Sequence, residues 1–150
     1  MKSIDALARL ADLGVSAFTT NDAGAALGID RAHASKTLTR LAAARQLLRL
    51  HRGLWAFPGK VDRFRLPEAL AAPAPCYVSM QSALYLHGMI SQIPQVLYAV
   101  SPGRTRRCET PLGAVSIHHV QPSFFKGFVA DSRSGAPVAT PEKALADLLY

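Results

Sequence analysis

The chain has 150 residues and a formal net charge of +7; 49% of its residues are hydrophobic and 18% are charged. This composition is that of a globular protein and excludes a disordered one, and the length suffices for one ordinary domain or two small ones. No apolar run approaches the roughly 18 residues that a membrane helix needs, and the N-terminus opens into an amphipathic pattern rather than a signal peptide. We therefore expect a cytoplasmic protein with no membrane partner.

The basic residues are concentrated in the N-terminal part of the chain. Residues 1–66 contain eleven Lys or Arg and five Asp or Glu, whereas residues 67–150 contain six and five. Between Arg31 and Arg65 there are nine basic residues and a single acidic one, Asp62. Such a distribution steers a polyanion to one end of a molecule. A solvated basic surface that serves solubility is the alternative interpretation.

Three short helices are predicted before residue 45. Ser3 is a candidate N-cap for the first helix, and Gly14 ends it. Either Thr20 or Asn21 caps the second helix. Gly28 then supplies the left-handed residue that a tight turn into the third helix requires.

The third helix has a packing side and a polar side. Asp30 is its predicted N-cap. At about 100° per residue, one side carries Ala34, Leu38, Leu41 and Ala42. The opposite side carries Ala32, His33, Lys36, Thr39 and Arg40, and Arg31 begins the helix. In a helix-turn-helix this polar side faces the major groove, where Lys36 and Arg40 donate either to guanine or to phosphate.

A hairpin is predicted directly after the third helix. Two short apolar strands flank Arg52-Gly53, and Pro58 ends the second strand. A winged helix-turn-helix has such a hairpin beside its recognition helix. Arg49, His51 and Arg52 are therefore candidate contacts to a phosphate or a minor groove, with a solvated turn as the alternative for His51. We expect Trp55 to pack in the core.

These patterns predict an α+β protein with two domains. Residues 1–67 form a winged helix-turn-helix DNA-binding domain with a linker. The linker is predicted because four prolines and an Ala-rich stretch between residues 58 and 76 are typical of a semi-rigid connector. Residues 68–150 form a small mixed α/β domain. Its predicted elements are a helix from Ser79 to His87, strands at 95–100 and 114–120, and an apolar cluster of Phe124, Phe125 and Phe128.

The last predicted helix begins with Thr140 as N-cap, Pro141 at the first helical position and Glu142 in the first turn. Its apolar stripe is expected to comprise Ala144, Leu145, Leu148 and Leu149. The stripe continues to Tyr150 without a stop signal. We therefore expect either a chain that is cut short here or a helix that gives this face to a partner.

The remaining polar clusters do not form a catalytic site. Arg104, Arg106 and Arg107 are expected in an exposed turn, with a phosphate or partner contact as the functional alternative. His118 and His119 are neighbours on a strand and point to opposite faces, so we predict no metal site. Cys76 and Cys108 lack the spacing of a metal or redox site. No catalytic motif is present, so we predict neither enzyme activity nor a cofactor.

An ordered set of short motifs spans nearly the whole chain. These are RGLWAFP at 52–58, YVS at 77–79, SALYLHG at 82–88, QIP at 92–94, ATPEKAL at 139–145 and DLLY at 147–150. The set resembles the AbiEi antitoxins of type IV, abortive-infection toxin-antitoxin systems. The winged part is shared by many regulators, whereas the motifs of the second domain are more specific.

The resemblance implies a DNA-binding autorepressor and antitoxin that takes part in phage defence. In that family the winged domain binds inverted repeats in its own promoter, and the C-terminal domain counteracts a nucleotidyltransferase toxin without a stable complex. A monomer or weak dimer that pairs on DNA is expected. Members usually continue with further helical structure, so the second domain is expected to be truncated.

Two alternatives remain open on the sequence alone. The first is a winged-helix module that docks to protein or RNA, with a second site at Arg104, Arg106 and Arg107. The other is the regulatory part of a longer, nuclease-like enzyme whose catalytic residues lie beyond Tyr150.

Overall fold

The computed structural model describes residues 2–150 and divides the chain into two compact units. The first unit ends at Val61 and the second begins at Asp62, ahead of the boundary predicted after residue 67. The α+β class is confirmed, because a unit of the helix-turn-helix type precedes a mixed α/β unit. Over the described residues, no helix is long and apolar enough to cross a membrane.

The first unit combines three helices with a small antiparallel sheet. Its elements are α1 (Ser3–Ala11), β1 (Ala17–Thr19), α2 (Thr20–Leu27), α3 (Arg31–Ala43), β2 (Leu48–His51) and β3 (Leu54–Ala56). The sheet order is β1-β3-β2, so the hairpin strand β3 pairs with both of the other strands. The three predicted helices and the hairpin are thus all present.

Local capping fixes where α2 and α3 begin. Gly28 has a φ of 68° and Asp30 accepts a hydrogen bond from the His33 backbone N–H, so both predictions are confirmed. The predicted cap of α2 is wrong, because Thr19 and Asp22 form the capping box instead.

The predicted cap of α1 differs as well. Ser3 lies inside the helix, and the N-cap position is occupied by Lys2, whose side chain makes no capping hydrogen bond. Ser3 is exposed. The beginning of α1 therefore depends on the buried positions Ala6 and Leu10 rather than on a cap.

The core of the first unit joins all three helices to the hairpin. Trp55 is 3% exposed and packs with buried residues of the helices, and Phe57 is partly buried against the same cluster. The packing role predicted for Trp55 is therefore confirmed. The buried members of this cluster are Ala6, Leu10, Phe18, Ala23, Leu27, Leu38, Leu41, Leu47 and Trp55.

The second unit is built on a six-stranded mixed sheet in the order β6-β7-β5-β4-β9-β8. Its strands are β4 (Tyr77–Val78), β5 (Val96–Ser101), β6 (Arg106–Thr110), β7 (Gly113–His119), β8 (Phe128–Ala130) and β9 (Pro137–Ala139). Only β5 and β7 correspond to strands predicted from the sequence. The helices are α4 (Leu66–Ala71), α5 (Met80–Leu86) and α6 (Pro141–Leu149).

The segment predicted to be a connector is partly helical. Residues 63–65 form a 3-10 turn and α4 follows at once, with Pro67 at the start of the helix, where its missing N–H costs nothing. Leu66 and Leu70 are buried, and α4 contacts β4, β5 and β7. The two leucines have the i, i+4 spacing of a helix, but the surrounding prolines and alanines favoured a connector. The linker prediction is therefore wrong over residues 63–71.

The terminal helix buries only one residue of its predicted apolar stripe. Thr140 accepts a hydrogen bond from the Lys143 backbone N–H, as expected of an N-cap. However, only Ala144 and Asp147 are buried in α6, while Leu145, Leu148 and Leu149 are exposed. Of the predicted apolar stripe, only Ala144 is therefore buried, and its three leucines form an exposed apolar face.

A hydrogen-bonded network explains why Asp147, rather than the leucines of α6, is buried. The Tyr77 hydroxyl donates to Asp147 Oδ2 at 3.0 Å, and the Ser79 hydroxyl donates to the same oxygen at 2.6 Å. Lys143 Nζ lies 2.8 Å from Oδ1, with its side chain 16% exposed. A buried carboxylate is tolerated only when it is paired and hydrogen-bonded, and these three donors meet that condition. They tie α6 to β4 and to the start of α5.

An aromatic cluster lies beside this network. The Tyr77 ring packs against Phe125 at 5.1 Å and against Phe128 at 4.8 Å, measured between ring centroids. Phe124 is 39% exposed and contacts Tyr150 instead. Burial and the Asp147 carboxylate both raise the pKa of the Tyr77 hydroxyl, which therefore stays a donor. The predicted phenylalanine cluster thus belongs to the core only in part.

We expect Asp147→Ala to lower the free energy of unfolding of the second unit by about 3 kcal/mol, because it leaves a partly buried ammonium and two buried hydroxyls without their acceptor. Urea denaturation followed by far-ultraviolet circular dichroism measures this loss. Glu142→Gln is the matched control on the same helix, since Glu142 is exposed. It should cost less than about 1 kcal/mol. Equal losses in the two variants would contradict the structural role of the network.

Candidate nucleic-acid interface

All nine residues predicted to contact DNA are exposed. Six lie on α3 and three lie on the hairpin, in its first strand β2 and in its turn. The nine are Arg31, Ala32, His33, Lys36, Thr39, Arg40, Arg49, His51 and Arg52. The predicted residues thus occupy two neighbouring elements of the same unit.

The outward face of α3 is fixed by its buried face. Ala34, Leu38 and Leu41 are buried as predicted, and Thr37 is buried beside them. Ala42 is only half-buried. Because the packing residues follow the helical period, the opposite side is held away from the core over the whole length of the helix.

The turn between α2 and α3 lies unusually close to the backbone of α2. A Cβ atom added to Gly24 would lie 3.1 Å from the Ile29 backbone oxygen and 3.7 Å from Ala34 Cβ. The Ile29 backbone N–H also donates to the Gly24 oxygen at 3.1 Å. Gly24 therefore lets the turn pass directly over α2, which sets the position of α3. The role of Gly24 was not predicted from the sequence, although a glycine in a helix of small residues was the available signal.

The hairpin is attached to the start of α2 at two points. Trp55 Nε1 donates to the Thr20 hydroxyl at 3.0 Å, and the Thr20 backbone N–H donates to the Gly53 oxygen at 3.1 Å. Thr20 is 4% exposed and its hydroxyl is engaged, which explains why Thr19 caps α2. The turn that carries Arg52 is thus held by a hydrogen bond to a helix terminus.

Arg49 lies across the ring of Trp55. Its guanidinium carbon is 5.9 Å from the ring centroid, within the range of a cation–π contact, and the two residues are paired in the β2–β3 ladder. Arg49 is therefore ordered on the surface of the hairpin rather than extended into solvent. Lys60 makes a similar contact with Phe57 at 5.7 Å.

The cations of this surface are not neutralised by acidic residues. Residues 31–61 contain seven Lys or Arg and no Asp or Glu. Among the described residues 2–150, every ion pair involves side chains of the second unit. Two acidic residues lie at the starts of these helices: Asp22 in the first turn of α2 and Asp30 at the N-cap of α3. Both accept hydrogen bonds from backbone N–H groups. The positive charge therefore faces solvent and is available to a polyanion.

The arginines of the second unit do not form a turn. Arg106 and Arg107 lie on the edge strand β6, because its residue Cys108 is buried against the sheet and draws the segment into the ladder with β7. Arg106 Nη1 donates to the Leu70 oxygen, and Arg107 Nε lies 3.3 Å from Glu109 Oε1. Arg104 precedes the strand and is exposed. Neighbouring positions of a strand face opposite ways, so the three do not share one surface.

The two adjacent histidines have separate partners. His118 contacts the Ser116 hydroxyl at 3.2 Å, whereas His119 Nδ1 lies 2.9 Å from the Gly103 oxygen.

The two acidic residues of α6 are also separated, because Glu142 is exposed while Asp147 is buried in its network. Over residues 2–150, no group of three or more His, Cys, Asp or Glu side chains is placed to hold a metal ion.

The comparison with protein families bears on the same part of the chain. Residues 5–58 match the model of a family described as "Transcriptional regulator, AbiEi antitoxin". The matched residues include most of α1 and all of α2, α3 and the hairpin. A search of curated proteins finds no match to the chain. The predicted resemblance is confirmed over residues 5–58, which are similar to the AbiEi family of antitoxin transcriptional regulators.

Proposed function

We propose that this protein is a DNA-binding autorepressor and the antitoxin of a type IV toxin-antitoxin system. The first unit acts as a winged helix-turn-helix, with α3 in the major groove and the hairpin as the wing. Its ligand is duplex DNA of the protein's own promoter, bound at inverted repeats in the cytoplasm. The proposal assigns no catalytic role to the chain.

The observation that carries the proposal is the uncompensated charge on α3 and the hairpin. Arg31, Lys36 and Arg40 are exposed on one helix, and no acidic residue lies between 31 and 61. In the proposed complex the polar side of α3 faces the groove, and the hairpin cations contact the adjacent backbone. The family match over residues 5–58 supports the same assignment.

The antitoxin part of the proposal concerns the second unit. It acts against a nucleotidyltransferase toxin without forming a stable complex with it. Support comes from the antitoxin description of the matched family and from the resemblance of the motifs at 77–88 and 139–150. A docking module for RNA is less well supported, because two of the three arginines on which it depends are engaged within the second unit.

We expect Lys36→Ala combined with Arg40→Ala to weaken binding to the operon's own promoter by at least about tenfold, because both variants remove donors for bases or phosphates. A gel-shift titration measures the loss. Lys126→Ala with Arg133→Ala is the matched control, since both residues are exposed cations of the second unit and the charge change is equal. Unchanged retention by the α3 variant, or an equal loss in the control, would contradict the proposed interface.

Binding should also depend steeply on salt. If about four Lys or Arg side chains contact phosphates, the slope of log K against log salt concentration is about −4 for each bound chain. Titrations of the promoter fragment between low and moderate salt give this slope. A slope near zero would mean that binding does not depend on the exposed cations and would refute the electrostatic part of the proposal.

The two proposed activities should be separable. Expression of the cognate nucleotidyltransferase toxin that the proposal requires should be tolerated by cells that carry the wild-type protein. The double variant of Lys36 and Arg40 should protect equally well when its own expression is driven from an unrelated promoter, because neither residue belongs to the second unit. Growth after toxin induction measures protection. Cells that die in the presence of the wild-type protein would refute the antitoxin proposal while leaving DNA binding intact.

A further inference from the structure

The exposed side of α3 divides into a central line and two flanks. The buried residues Ala34, Thr37, Leu38 and Leu41 define the direction of the core. At about 100° per residue, Ala32, Lys36 and Thr39 lie within about 30° of the opposite direction. Arg40, His33 and Arg31 lie about 70°, 90° and 110° away from it. When the helix enters a groove, the central line faces the floor and the flanks face the walls.

The central line contains one long cationic side chain between two short ones. Lys36 follows Ala32 by about 6 Å along the helix axis and precedes Thr39 by about 4.5 Å. The Thr39 hydroxyl donates to the Ser35 backbone oxygen at 2.8 Å. Its hydrogen is therefore used within the helix, and the side chain presents its methyl group. Two small apolar groups beside a lysine allow the helix to approach the base edges closely.

The flanks have the opposite character. Arg31 at the first position of α3 and Arg40 in its last turn are long, exposed cations on different sides of the central line. Their lateral position favours the phosphates of the two groove walls over the base edges. Such contacts position the helix without selecting a sequence.

We infer that Lys36 is the residue that reads the operator sequence and that Arg31 and Arg40 hold its backbone. This inference rests on the proposed function. Lys36 donates to the O6 and N7 acceptors of a guanine. Ala32 and the Thr39 methyl contact thymine methyl groups within about two base pairs of that guanine, given the axial spacing of the three residues. Each half-site is therefore a guanine with thymines close on both sides.

In vitro selection from a library of random duplexes tests this division, with the full chain as wild type, Lys36→Ala, Lys36→Arg and Arg40→Ala. We expect the wild type to select a motif that contains the guanine. Lys36→Ala should reduce the preference for guanine at that base pair by about 5- to 150-fold. Lys36→Arg should retain the preference, because arginine also donates hydrogen bonds to guanine. Arg40→Ala should select the same motif, bind all sequences more weakly and lower the salt slope by about one.

The outcomes separate this inference from the proposal on which it rests. A wild-type protein that selects no motif and does not prefer its promoter refutes the proposed function itself. A wild-type motif that Lys36→Ala weakens equally at all positions, or that Arg40→Ala alters, overturns the division while the DNA-binding function stands. Circular dichroism spectra that match the wild type exclude misfolding as the cause of either result.

Discussion

The side chain of Trp55 is the contact on which the arrangement of the first unit depends. Its ring packs among residues of all three helices, while its indole N–H is bonded to Thr20 at the start of α2. Arg49 lies over the ring on the hairpin surface. One side chain thus connects the hairpin, the helix that supports α3 and a cation of the exposed surface. Because a closely packed aromatic ring allows little adjustment, Trp55 restricts how the hairpin packs on the helices.

The second unit depends on a polar contact instead. Asp147 joins a strand, a helix start and the terminal helix through three donors. Gly127 adds to this contact, because a Cβ atom there would lie 2.9 Å from Lys143 Cγ, so only a glycine lets its backbone cross the lysine stem. A single deeply placed carboxylate therefore specifies which face of α6 turns inward, although the three leucines of the helix stay exposed.

The sequence predicted the first unit well because its signals are local. Gly28, Asp30 and the 3.6-residue period of α3 each act within one turn of helix, so the exposed residues followed directly. The errors in the second unit mostly concern contacts between distant residues. Tyr77 and Asp147 are 70 positions apart, and no pattern within α6 indicates the two hydroxyl groups outside the helix that donate to Asp147. Likewise, Arg106 and Arg107 resemble a solvated turn until β7 is present as a partner strand.

The division of the chain at residue 61 has a consequence for its evolution. Each unit contains its own buried core, so the exposed cations of α3 and the Asp147 network are specified by different stretches of sequence. A recombination event near residue 61 would therefore exchange one of these stretches and leave the core residues of the other unchanged.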